Sequence, residues 1–154
     1  MTDTALRSAT RDIVVDELFP HAPETIWRAL TDGALIGRWL MPPTGFEAVV
    51  GNRFTFHTSP AGAWDGTIAC EVLEVVPNRR FVFAWKGGDE ANQGYGSKLE
   101  TMVTWTLEPE AGGTRVRLVH AGFVPERNDV AYRGMSEGWP KVVAKLAEVA
   151  DTQH

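Results

Sequence analysis

Hydrophobic and polar positions change their period three times along this chain. Ile13–Phe19 alternates as a strand and is stopped by Pro20. Pro23-Glu24 then opens a helix, with proline in the first turn, where its missing N–H has no helical partner to lose. Ile26, Trp27 and Leu30 supply that helix's apolar stripe, and Asp32 is placed to cap a second short helix carrying Leu35, Ile36 and Trp39. From Phe46 the period is two. Phe46–Val50 and Arg53–Thr58 flank Gly51-Asn52, Thr67–Val76 and Arg80–Trp85 flank Pro77-Asn78, and Lys98–Leu107 and Thr114–His120 flank Glu110–Gly113. Helical spacing returns with Tyr132, Met135, Trp139, Val142, Val143, Leu146 and Val149. The stripe keeps its phase through Pro140, so one long helix, bent near Gly138–Pro140, is expected rather than two. The pattern predicts an α+β domain: a strand, two short helices, six strands in an antiparallel meander, and a long helix.

The hairpin Thr67–Trp85 is the most informative stretch. Phe81, Phe83 and Trp85 alternate onto one face of its second strand. Counting back across the turn aims Glu71 at the same face, among aromatic side chains. A carboxylate there must be paired, hydrated or neutral, because a lone buried charge is very unfavourable. Glu71 is therefore either a candidate ligand contact or a side chain that reaches solvent or an arginine. His120 shares its alternation phase with Val116 and Leu118 and is the one histidine placed inside, as a core imidazole or as a second polar anchor.

Composition narrows the function classes. A length of 154 residues suits one domain with a substantial core. The net charge of -5 leaves no basic stripe to neutralise phosphates, which argues against nucleic acid. No apolar run approaches the roughly 18 residues of a membrane span, so membrane insertion is not expected and a cytoplasmic location is. The single cysteine, Cys70, lies in a hydrophobic run and reads as a buried thiol. The four histidines have no metal-ligand spacing, and neither metal nor cofactor is expected. Residues 1–11 are polar and aperiodic and read as a mobile arm ahead of a domain spanning 12–150.

Two motifs invite chemistry and fail on context. Gly134-Met135-Ser136-Glu137-Gly138 fits G-x-S-x-G, but it lies within the helical pattern, without the strand-to-helix elbow that exposes a nucleophile. The glycines of Lys86–Ser97 lack the G-x-x-x-x-G-K-[ST] order and precede a strand, so they form a flexible loop that could gate a pocket rather than cradle phosphate. No catalytic residue set is assigned. What remains is an aromatic and sulphur-rich interior. Trp39, Phe54, Phe56, Phe83, Trp85, Trp105, Met135 and Trp139 are the candidate lining of a ligand cavity, with Glu71 and His120 as its polar anchors.

Several stretches together resemble the START-like (SRPBCC) superfamily, and within it the proteins homologous to the activator of the heat-shock protein 90 ATPase. They are Pro23-Glu24-Thr25-Ile26-Trp27-Arg28-Ala29-Leu30-Thr31-Asp32, Arg38-Trp39, Gly51-Asn52-Arg53-Phe54, the run from Gly66 to Trp85, Gly113-Thr114-Arg115-Val116, and Gly138-Trp139. The resemblance implies a helix-grip fold, a curved seven-stranded antiparallel sheet wrapped around the C-terminal helix over a hydrophobic cavity. It implies a small hydrophobic or aromatic ligand as the partner, with cyclase, aromatase or hydrolase chemistry in some members of the superfamily. The eukaryotic activator docks on its chaperone through an N-terminal domain that has no counterpart in this sequence, so chaperone activation is not expected to transfer with the family name. A homodimer is compatible with the fold class, since small domains commonly pair with C2 symmetry.

Overall fold

The computed structural model describes residues 10–153. The chain runs β1 (Arg11–Phe19), α1 (Pro23–Thr31), α2 (Gly33–Trp39), β2 (Arg53–His57), β3 (Thr67–Val76), β4 (Arg80–Gly87), β5 (Leu99–Glu110), β6 (Gly113–Phe123) and α3 (Asp129–Asp151). Six strands form one antiparallel sheet in the order β1-β6-β5-β4-β3-β2. The expected arm lies outside the described residues but for its end, and Arg11 already belongs to β1.

The local signals act as their chemistry dictates. Pro23 occupies the first turn of α1. The Asp32 carboxylate caps α2 by accepting from the backbone N–H groups of Ala34 and Leu35 at 2.9 and 3.2 Å. Asn78 takes a left-handed φ of 64° at the β3–β4 turn. The long helix α3 is continuous through Pro140, because the apolar stripe of Trp139, Val143, Leu146 and Val149 holds it against the sheet. This also removes the nucleophile-elbow reading, since Ser136 sits inside a helix.

Two expectations fail. Phe46–Val50 is not a strand, which leaves six strands instead of seven. Asn52 folds this segment into a local loop instead: its side-chain amide donates to Gly45 O, and its Oδ1 accepts from Glu47 N. Val49 and Val50 are left exposed. The second failure concerns the register of the β3–β4 hairpin. Near the turn Val75 pairs with Phe81 and Glu74 with Val82, but beyond Leu73 the pairing shifts by one residue. This β-bulge puts Cys70 and Val72 opposite Trp85 and Phe83, and turns Glu71 outward opposite Ala84.

The concave sheet face and the three helices enclose the core. Its centre is a cluster of indoles: Trp105 packs at near-right angles to Trp39 and to Trp139, with ring centroids 5.5 and 6.1 Å apart. Trp39 is anchored by its N–H donating to Ala29 O at 2.9 Å. Trp105 Nε1 has no hydrogen-bond partner among the described residues. Cys70 is buried in this core, and burial pushes its thiol up to about 12.

Candidate functional site

The first half of α3 leaves the sheet partly uncovered, and a cavity of about 320 Å³ opens there. β3 and β4 supply Ile68 and Trp85 to its floor, α3 supplies Val130, Ala131, Gly134 and Met135, and Met41 comes from the segment after α2. The roof is built by two loops, 58–66 between β2 and β3 and 88–98 between β4 and β5, through Thr58, Trp64, Tyr95 and Ser97.

The glycine-rich loop, expected to be mobile, is tied on both sides. Asn92 donates to Ala61 O and Gly96 O at 2.6 and 3.1 Å and accepts from Ala63 N, which stitches one loop to the other. Tyr95 donates its phenol to Ser59 O at 2.8 Å, and its ring lies 5.9 Å from that of Trp64. On the helix side, the buried Asn128 donates to Ser97 Oγ and Lys98 O and accepts from Val124 N. Gly88 is required where it stands: its φ is 74°, and a Cβ there would collide with the Ser97 carbonyl.

The candidates named from sequence fall into three groups. Trp85 and Met135 line the cavity, and Trp139 lines an adjoining apolar compartment of about 200 Å³. Trp39, Phe54, Phe56, Phe83 and Trp105 belong instead to the closed core. The void next to four of these, Trp39 and the three phenylalanines, measures only about 10 Å³, at the lower limit for one water. Their aromatic faces are occupied by one another: Phe54 packs on Phe56 and Phe83 with centroids 5.6 Å away in each case. Glu71 lies on the outer face, with 41% of its side chain exposed and its carboxylate 3.5 Å from Arg53 Nε.

His120 also lies in the core and lines neither compartment. Its Nδ1 accepts from the indole N–H of Trp139 at 3.0 Å, so the network assigns the ring proton to Nε2. Nε2–H then donates to Thr101 Oγ1 at 2.7 Å, and the threonine hydroxyl donates to Trp85 O at 2.9 Å. Desolvation lowers its pKa to about 3, keeping the ring neutral. The imidazole is thus the middle link of a polar chain joining α3 to three adjacent strands.

Among the described residues, the lining of both compartments holds no carboxylate, imidazole, amine or guanidinium. No group of side chains among them could hold a metal ion, and no helix is long and apolar enough to cross a membrane. Sequence reasoning passed over Thr58, Ile68, Tyr95, Ser97, Leu99 and the α3 residues 130, 131 and 134. The signal available for the last of these was a glycine placed within an otherwise well-formed helix.

The family model described as activator of Hsp90 ATPase homolog 1-like protein matches residues 20–151. The chain belongs to this family. No curated protein matches it. Among solved structures, protein MLL2253 from Mesorhizobium loti is similar at 38% identity and a TM-score of 0.79, over 94% of this chain and 99% of that one. The Aha1 dimer from Colwellia psychrerythraea is similar at 20% identity and a TM-score of 0.71, over 93% and 98% of the two chains. DynU16, a protein in the dynemicin biosynthetic locus, is similar at 23% identity and a TM-score of 0.67, over 92% of this chain and 47% of that one. At the two lower identities the likeness is one of fold. This member of the activator-homolog family keeps the helix-grip arrangement, with its sheet open and six-stranded.

Proposed function

We propose that this protein is a cytoplasmic binder of a small apolar or aromatic molecule, held between the sheet, α3 and the two stitched loops. One observation carries the reading: a cavity of about 320 Å³ with an apolar lining, roofed by loops that the half-buried Asn92 and the buried Asn128 hold in place. The likeness in fold to a protein of a biosynthetic locus is compatible with a small-molecule ligand. The absence of carboxylate, imidazole and amine groups from the described lining, with the Tyr95 phenol bonded to Ser59 O, favours binding over acid–base catalysis, which requires such a group within hydrogen-bond reach of substrate.

The test uses N-phenyl-1-naphthylamine, an uncharged fluorescent aromatic. Saturable binding, with quenching of tryptophan emission through Trp64 and Trp85 and a rise in Tm set by mass action, is the expected result. If neither this probe nor an uncharged aliphatic alcohol binds saturably or raises the Tm, the proposal is wrong.

A further inference from the structure

The cavity does not end at Met135. The compartment of about 200 Å³ shares Met41, Trp85, Gly134 and Met135 with it and continues to Leu40, Gly138, Trp139 and Val142. From Val130 to Val142 the two follow α3 for about 18 Å, at about 1.5 Å per residue. Gly134 and Gly138 stand one turn apart along that line. Glycine is the poorest helix former after proline, so two inside one helix need a reason. Crowding is not the reason, because a Cβ added at either position would meet nothing within 4 Å. Gly134 leaves room beside the helix where the two compartments adjoin, and Gly138 leaves it within the second.

The polar groups are unevenly placed. The hydroxyls of Thr58, Tyr95 and Ser97 all lie at the loop end. At the far end the lining is apolar apart from the Trp139 N–H, which is already bonded to His120.

Resting on the binding reading above, we propose that the site takes an elongated, uncharged amphiphile. Its hydrogen-bonding group sits at the loop end, and its unbranched apolar body lies along the Gly134–Gly138 side of α3. Gly138 then sets the length of the body that the site accepts, and the absence of charged lining excludes an ionised head group.

A series of 1-alkanols from butanol to dodecanol, displacing N-phenyl-1-naphthylamine, tests this. For the wild type, affinity should rise by about fourfold per methylene, the increment for burying one CH₂, and continue to rise past octanol. In Gly138→Leu, butanol and hexanol should bind within twofold of wild type, while dodecanol should lose at least tenfold. Gly138→Ala should lie between the two. If Gly138→Leu does not fold, Val142→Phe obstructs the same compartment from a half-buried position. Undiminished dodecanol affinity, or an equal loss for short and long alcohols, overturns the length assignment and leaves the binding reading standing. Failure of every alcohol and of the fluorescent probe on the wild type overturns both.

Discussion

The indole N–H of Trp139 donates to Nδ1 of His120 at 3.0 Å, across the interface between the long helix and the sheet. Because Thr101 and the Trp85 carbonyl complete the chain, one buried neutral imidazole ties the Trp139 indole to the backbone of β4. A protonated Nδ1 has no lone pair for Trp139, so charge on His120 and seating of the helix exclude each other.

Stability should therefore depend on pH through His120. Its folded pKa, about 3, lies below the unfolded value of about 6.5. The unfolded chain binds the proton first, so the contribution is complete above about pH 6.5 and is lost as pH falls toward 3. The expected slope is about 1.4 kcal/mol per pH unit in that window, measured by urea unfolding between pH 4.5 and 7. In His120→Gln that component should vanish; an unchanged slope would show that other groups carry it.

Gly134→Leu should weaken binding of N-phenyl-1-naphthylamine at least tenfold, because leucine projects at the mouth of the cavity. The fold should not suffer, since nothing crowds the position and helix propensity improves by up to about 1 kcal/mol. Fluorescence titration and thermal unfolding, run in parallel, separate the two effects. A variant that binds normally would place the ligand elsewhere.

Asn128→Ala should destabilise by about 2–3 kcal/mol, because it leaves the Val124 N–H and the Lys98 carbonyl short of a partner in a buried region. The damage should be local as well as global. Amide exchange in residues 88–98 should accelerate more than in β5 and β6, and equal acceleration everywhere would contradict the tie described here.

Glu71→Gln should leave ligand affinity unchanged and shift stability by less than about 1 kcal/mol, the scale of an exposed ion pair. A tenfold loss of affinity for an uncharged probe would return this carboxylate to the site.

The sequence carried the fold further than it carried the site. Asp32 as a cap, Pro23 in a first turn and the unbroken stripe through Pro140 act over a few residues, and all are found as expected. Phe46–Val50 has the alternation of a strand, but its loop depends on what the side chain of Asn52 bonds to, which periodicity does not encode. Pocket and solid core use the same residue types, so Phe54 and Phe83 could not be told from Trp85 by pattern alone. The loop side chains that roof the cavity, Tyr95 and Ser97, are polar residues in a glycine-rich stretch, and hydrogen bonds across long sequence separations, Asn92 to Ala61, Tyr95 to Ser59 and Asn128 to Ser97, place them.

The bulge at Leu73 decides on which side of the sheet β3 carries its charge. Were β3 to pair with β4 without a bulge and with Leu73 in the ladder, the register of Val75 with Phe81 would run on down the strand and bring Glu71 opposite Trp85. An acid would then stand against the apolar cavity, where burial raises a carboxyl pKa. Leu73 is the extra residue, so deleting it should close the ladder with Cys70 still opposite Trp85 and Glu71 still outside. Probe affinity in the deletion variant should therefore match the wild type, and a tenfold loss would refute this. One unpaired residue keeps a carboxylate off the cavity side of the sheet.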